Sequence, residues 1–193
     1  AQAAGCAGTG ACYWIGGSGN WSDTAHWATA TGGGTTGSVP TATDSAHFDA
    51  NSNTTAYTVT VDTSAVMLDL DFEAAPAVSG TVTWAGSSAM NIYGSMTLLS
   101  GMTDSSGSTL NFLATATGKS ITTNAVTVGS RLVFNGVGGG WAGQDNLTLG
   151  SVNTITLTAG ALDLTNRTVI ARGFASNNSN TRTLNISGAS ITL

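Results

Sequence analysis

Charge is scarce in this chain. Lys, Arg, Asp and Glu make up 8% of its 193 residues, against roughly 25% in an average soluble domain. Lys119 is the single lysine, and five basic residues stand against ten acidic ones. A net charge of −5 leaves no basic footprint for nucleic acid. Glutamate and lysine are too rare for a helical bundle or coiled coil. No stretch approaches the roughly 18 apolar residues of a membrane helix, so membrane insertion is not expected. Proline occurs twice and cysteine twice. No GxxxxGK[ST] pattern is present, which excludes a phosphate loop of that kind. Disorder is excluded as well, because 41% of the residues are hydrophobic. What the chain does have is 32 threonines, 21 serines and 26 glycines. That composition predicts a β-dominated protein of one or two small domains, long enough to bury a core.

The first twelve residues, AQAAGCAGTGAC, form a Gly/Ala leader without the charged start or apolar core of a secretory signal. They hold both cysteines, Cys6 and Cys12. Pairing would close a small disulfide loop and point to an oxidising compartment. The alternative is two free thiols. Their spacing is poor for zinc, and no histidine is near in sequence.

The back half is periodic. Cut every 21 residues from Leu110, it gives four segments in which Val126, Val128, Gly129 and Ser130 recur as Leu147, Leu149, Gly150 and Ser151. Ile170 and Ile191 are expected to continue the column of Val128 and Leu149. Alternating triplets recur throughout: Leu132-Val133-Phe134, Leu147-Thr148-Leu149, Leu162-Asp163-Leu164, Leu184-Asn185-Ile186 and Ile191-Thr192-Leu193. In a strand the outer pair of each triplet faces one side and the middle residue the other. Strands this short, joined by Gly/Asn/Ser corners, predict an all-β fold: a parallel β-solenoid with about 21 residues per coil. A β-sandwich of evenly spaced hairpins is the alternative, but Asn135-Gly136 is the single two-residue hairpin signal. Tracing the period backward aligns Asp23-Thr24-Ala25-His26-Trp27 with Asp44-Ser45-Ala46-His47-Phe48. Outward threonines would stack into neutral ladders able to pack against copies of the same chain. A turn at 22–28, with Ser22 as cap, is the one helical candidate.

Three tryptophans, Trp14, Trp21 and Trp27, crowd residues 13–53. They are expected to plug the open N-terminal end of the solenoid, since terminal coils need a different cap. The chain thus divides into a leader (1–12), an aromatic capping module (13–53) and solenoid coils (54–193). The stretch from Tyr13 through Trp27, with Val39-Pro40-Thr41 and Phe48-Asp49-Ala50-Asn51-Ser52, resembles a known module. It is similar to the WxGGxGxW…HW…P…D…FDANS head found on β-solenoid proteins of tailed bacteriophages and on some bacterial surface proteins. Downstream, residues 116–124 (ATGKSITTN), 134–141 (FNGVGGGW) and 180–184 (NTRTL) also resemble phage sequences. The chain departs from that pattern at His47, where the family usually has an aliphatic residue, and in its cysteine-bearing leader. The resemblance implies a virion-associated or surface structural protein and brings no catalytic site with it.

Few residues could carry chemistry. Asp69, Asp71 and Glu73 alternate with Leu68, Leu70 and Phe72, which puts three carboxylates on one strand face. Carboxylate pairs on the outer face of a phage solenoid can cleave polysaccharide; the plainer reading is a solvated face, and calcium is a further alternative. If the 21-residue step holds in the head, His26 and His47 stack on adjacent coils. With Asp23 and Asp44 they could bind a divalent metal, or serve as one buried and one exposed histidine. Gly138-Gly139-Gly140 before Trp141 reads as a tight corner. Asn-x-Ser/Thr acceptor sites at Asn20, Asn53, Asn146, Asn166, Asn177 and Asn185 arise easily in so polar a sequence. The alternating strand at Ile191 and Leu193 has no cover after it, which predicts that both side chains are buried by another subunit or domain.

The leading expectation is therefore a non-enzymatic, cofactor-free structural protein of a phage particle: a tail fibre, spike or capsid-decorating appendage. Its partners would be its own copies and other virion or surface structural proteins. The alternatives are a secreted bacterial adhesin or extracellular filament subunit, and a module that binds or degrades a host-surface glycan.

Overall fold

The computed structural model describes residues 6, 10–34, 38–72 and 79–193. The chain is a parallel β-solenoid of about six turns. Strands are numbered in chain order, and three of them make one coil. One face carries β4 (Ser45–Phe48), β7 (Leu70–Phe72), β10 (Met96–Thr97), β13 (Lys119–Thr122) and β20 (Arg182–Asn185). A second carries β6 (Ala65–Met67), β9 (Met90–Ile92), β12 (Thr109–Phe112) and β19 (Gly173–Ala175). Two long strands, β15 (Arg131–Gly143) and β17 (Thr154–Asp163), bend across the corner and belong to both faces. The third face holds β2 (Gly19–Asn20), β5 (Thr55–Val61), β8 (Ser79–Gly86) and β11 (Thr103–Asp104). It goes on with β14 (Thr127–Val128), β16 (Leu147–Leu149), β18 (Thr168–Ile170) and β21 (Ser190–Thr192). Among the described residues there is no α-helix, and none long and apolar enough to cross a membrane.

The apolar residues of the triplets point inward and stack in register. Phe48 pairs with Phe72, their rings 4.3 Å apart and nearly parallel. Phe112 and Phe134 repeat the arrangement at 4.8 Å, which is the strand spacing itself. Each ladder lets one coil bury the core of the next.

The step between coils is about 22 residues rather than a constant 21. Leu70 pairs with Met96 and Met96 with Ile121, steps of 26 and 25. Trp141 pairs with Leu162 and Leu162 with Leu184, steps of 21 and 22. Corners absorb the difference, since only the inward residues must stay in phase. This corrects one expected column. Val128 does pair with Leu149, but Ile170 pairs with Thr148 and faces outward, 44% exposed. One extra corner residue flips a side chain across the sheet, and Val169 takes the buried place, paired with Ile191.

The N-terminal end is built differently. β1 (Ala11–Trp14) lies parallel to β4, while β3 (Trp27–Ala28) lies antiparallel on β1's other edge. Trp14, Trp21 and Trp27 are all buried and pack edge-on, with ring centres 4.7–5.1 Å apart along the series. Their ring N–H groups are satisfied: Trp14 Nε1 donates to the carbonyl of Gly17 and Trp27 Nε1 to that of Trp21, as buried indoles require. Phe48 and Trp84 continue this cluster into the solenoid.

Candidate functional site

The head does not repeat the 21-residue step. Ser45 pairs with Ala11, and the segment at 23–27 folds back as a 3₁₀ turn, Thr24–His26, leading into antiparallel β3. Its cap is Asp23, which accepts from the Ala25 amide, not Ser22. Ser22 instead donates to Asp62. His26 and His47 consequently sit on different sides of β1. His26 lies flat on buried Trp14, ring centres 4.6 Å apart, with Nδ1 2.6 Å from the Ile15 carbonyl. His47 stacks on Tyr13 at 4.9 Å, on the outer side. Asp44 is buried and ties the amide and hydroxyl of Thr41. The four residues expected to share a metal do not converge. Among the described residues no group of three or more His, Cys, Asp or Glu is placed to hold one.

The outer face around β7 gathers the polar groups. Register places Tyr13, His47, Asp71, Thr97 and Thr122 in one outward column across five strands. His47 Nδ1 lies 3.6 Å from Asp71 Oδ2. Asp69 precedes β7 at a corner. Its Oδ2 accepts the Ser45 hydroxyl at 2.9 Å and its Oδ1 the Ser95 amide at 2.6 Å. Gly94 permits this approach, because a Cβ there would stand 2.1 Å from Asp69 Oδ1. A shallow depression of about 170 Å³ is lined by His47, Asp69, Asp71, Ser95 and Thr97. Its chemistry suits a hydroxylated ligand. Both oxygens of Asp69 are engaged in shaping the corner, and Asp71 faces a histidine. Glu73 lies outside the described residues.

Corner work is the general use of carboxylates in this chain. Asp23, Asp49, Asp104 and Asp163 each accept the backbone amide two residues on. Asp145 accepts the amides of Thr123 and Asn124. Asp145 reaches across coils, whereas the Asp-x-x turns of the other four are local and were readable from such spellings as Asp104-Ser105-Ser106. Burial opposes it at Asp62, yet hydrogen bonds from Ser22 hold that carboxyl below its ordinary range. At Asp104 burial wins and pushes the carboxyl up, despite bonds from Ser106 and Gly129. Ser106, Ser108 and Ser130 extend Asp104 into a buried hydroxyl network, with Ser130 Oγ 2.6 and 2.7 Å from the other two.

Cys6 and Cys12 are joined by a disulfide and fully buried, with Cα atoms 5.4 Å apart. The C-terminal coil is open. Phe174, Leu184, Ile186, Ile191 and Leu193 line an apolar depression of about 200 Å³. Ile191 is 39% and Leu193 64% exposed in the single chain. Among the described residues β19, β20 and β21 each pair on one side only. The chain matches no family model, and neither a curated protein nor a solved structure is similar to it.

Proposed function

We propose that this chain is a non-enzymatic structural protein of a bacteriophage particle, a short rod in a tail fibre, spike or capsid-decorating appendage. The observation that carries the reading is the parallel solenoid itself, with its aromatic cluster at the N-terminal side. One end is plugged by three buried tryptophans, and the other presents an apolar depression beside three strand edges. Unpaired edges beside bare apolar surface recruit other chains. The head's likeness to phage solenoid modules supports the same reading.

Antibody labelling of intact particles, followed by electron microscopy, tests this directly. Label at one fixed position on the particle is the expected result, and label absent from purified particles overturns it. A chain carrying Ile191→Asp and Leu193→Asp should remain folded and fail to incorporate.

The disulfide favours a second reading, a secreted adhesin or extracellular filament subunit, because such bonds persist in oxidising compartments. Finding the chain in cell-free medium or on the bacterial surface, with Cys6 and Cys12 resistant to alkylation before reduction, would select it. Release of sugar from host-surface polysaccharide, abolished by Asp71→Asn, would instead make the depression beside His47 a glycan site.

A further inference from the structure

The geometry points to a lateral contact between the third face and the same face of a second copy of this chain. Strand register puts Thr58, Thr83 and Thr103 in one outward column. Thr127, Thr148, Ile170 and Thr192 form the next. β11 and β14 are neighbours in adjacent sheets, and Gly129's amide donates to Asp104 Oδ2 between them, so the second column follows the first along the same face. Seven successive rungs therefore present six threonines and one isoleucine. Among the described residues, no hydrogen bond within the chain uses the six threonine hydroxyls.

Charge separates this face from the others. The first face shows His47, Asp69, Asp71, Lys119, Asp163 and Arg182, and the second shows Arg131. The strands of the third face contain one ionisable carboxylate, Asp104, and it is turned into the wall against Ser106 and Gly129. Two copies meeting through the first face would have to take several charged side chains out of water. Through the third face they meet without repulsion. Threonine is also self-complementary: each hydroxyl both donates and accepts, so identical ladders can pair with one another. That is the condition for a two-fold contact between equal surfaces.

Area sets the strength. Seven rungs at about 4.8 Å and a width of about 15 Å present roughly 450 Å² per copy, so about 900 Å² in all, near the lower bound for a specific interface. The pairing is accordingly weak and concentration-dependent in solution. A two-fold axis that overlaps all seven rungs passes through the middle one. Thr127 then faces its own copy, Thr103 faces Thr148, and Thr83 faces Ile170.

Analytical ultracentrifugation over a concentration series tests this, with circular dichroism to show that each variant is folded. The wild-type chain should move above the 19.2 kDa of one copy as concentration rises. Thr127→Lys sets like charges against each other and should weaken association by roughly tenfold or more. Thr127→Glu should do the same, and mixing the two variants should restore it. Thr156→Lys, on the second face, should leave the mass unchanged, as should Ile191→Asp at the open end. A wild-type chain that stays at one copy throughout overturns the contact, even if particle labelling succeeds. So does a Thr127→Lys chain that assembles normally, or a Thr156→Lys chain that dissociates as much.

Discussion

The two ends of the rod solve the same problem in opposite ways. A coil at the end of a solenoid has no neighbour for its apolar interior or its outer strand edge. At the N-terminal end, Trp14, Trp21 and Trp27 fill the interior and His26 lies over Trp14. Antiparallel β3 takes β1's free edge. At the C-terminal end the same triplet pattern simply continues to Ile191 and Leu193, which stay exposed in the single chain. Reversing one strand and spending three large aromatics closes an end. Repeating the pattern leaves Ile191 and Leu193 exposed in the single chain.

The sharpest way to break this contrast is to remove a plug residue. Trp27→Ala should cost about 3–5 kcal/mol, the range for truncating a buried aromatic, read from chemical denaturation. A loss below about 1 kcal/mol would mean that the plug is not what holds the head.

Alkaline pH should strike the head side next. Burial pushes the Tyr57 hydroxyl up to about 12 from 10.0, outweighing the bond with Ser52. Its folded pKa is raised, so the stabilisation is complete below pH 10 and disappears as pH climbs through about 12. Each pKa unit corresponds to about 1.4 kcal/mol, so the loss is of order 2–3 kcal/mol. All three tyrosines lie in the N-terminal half, so Tyr57→Phe should flatten the alkaline limb of the stability curve. An unchanged slope in that variant would assign the alkaline loss elsewhere.

The smallest effect belongs to the open end. Leu193→Ser in the isolated chain should change stability by less than about 0.5 kcal/mol, as at other exposed sites. A larger loss would show that the end is already closed within one copy.

The solenoid was legible because its signal is repeated. Six coils each spell apolar-polar-apolar, and any one can be irregular without hiding the rest. The phase was less legible. A fixed step of 21 put Ile170 in the core, whereas a single corner residue moved it out and Val169 in. Corners are free to vary, so counting through them accumulates error. The head misled more, because its aligned Asp-x-Ala-His-aromatic segments have the same spelling and different folds. One caps a 3₁₀ turn and the other is a parallel strand. The spelling records local turn chemistry at Asp23 and a strand pattern at Ala46 and Phe48, and the pairing partner decides between them. Asp69 shows the remaining limit. Alternation set its carboxylate on a strand face with Asp71, whereas Asp69 precedes β7 at a corner, and its fixing by Ser45 and Ser95 comes from neighbouring coils 24 and 26 residues away.

The head's pairings also set an order of assembly for the growing chain. Ala11 must wait for Ser45, and Gly19 for Val59, separations of 34 and 40 residues. Coils after the head close over 19 to 26 residues. Loop-closure entropy rises only slowly with length, so the difference at equilibrium is small. During synthesis it is one of sequence: the tryptophans are made first and shielded late. Until β5 has emerged, Trp21 lacks the strand that its amide bonds through Thr60. Three side chains that end fully buried, Trp14, Trp21 and Trp27, therefore stay uncovered until strands 34 and 40 residues further on have been made.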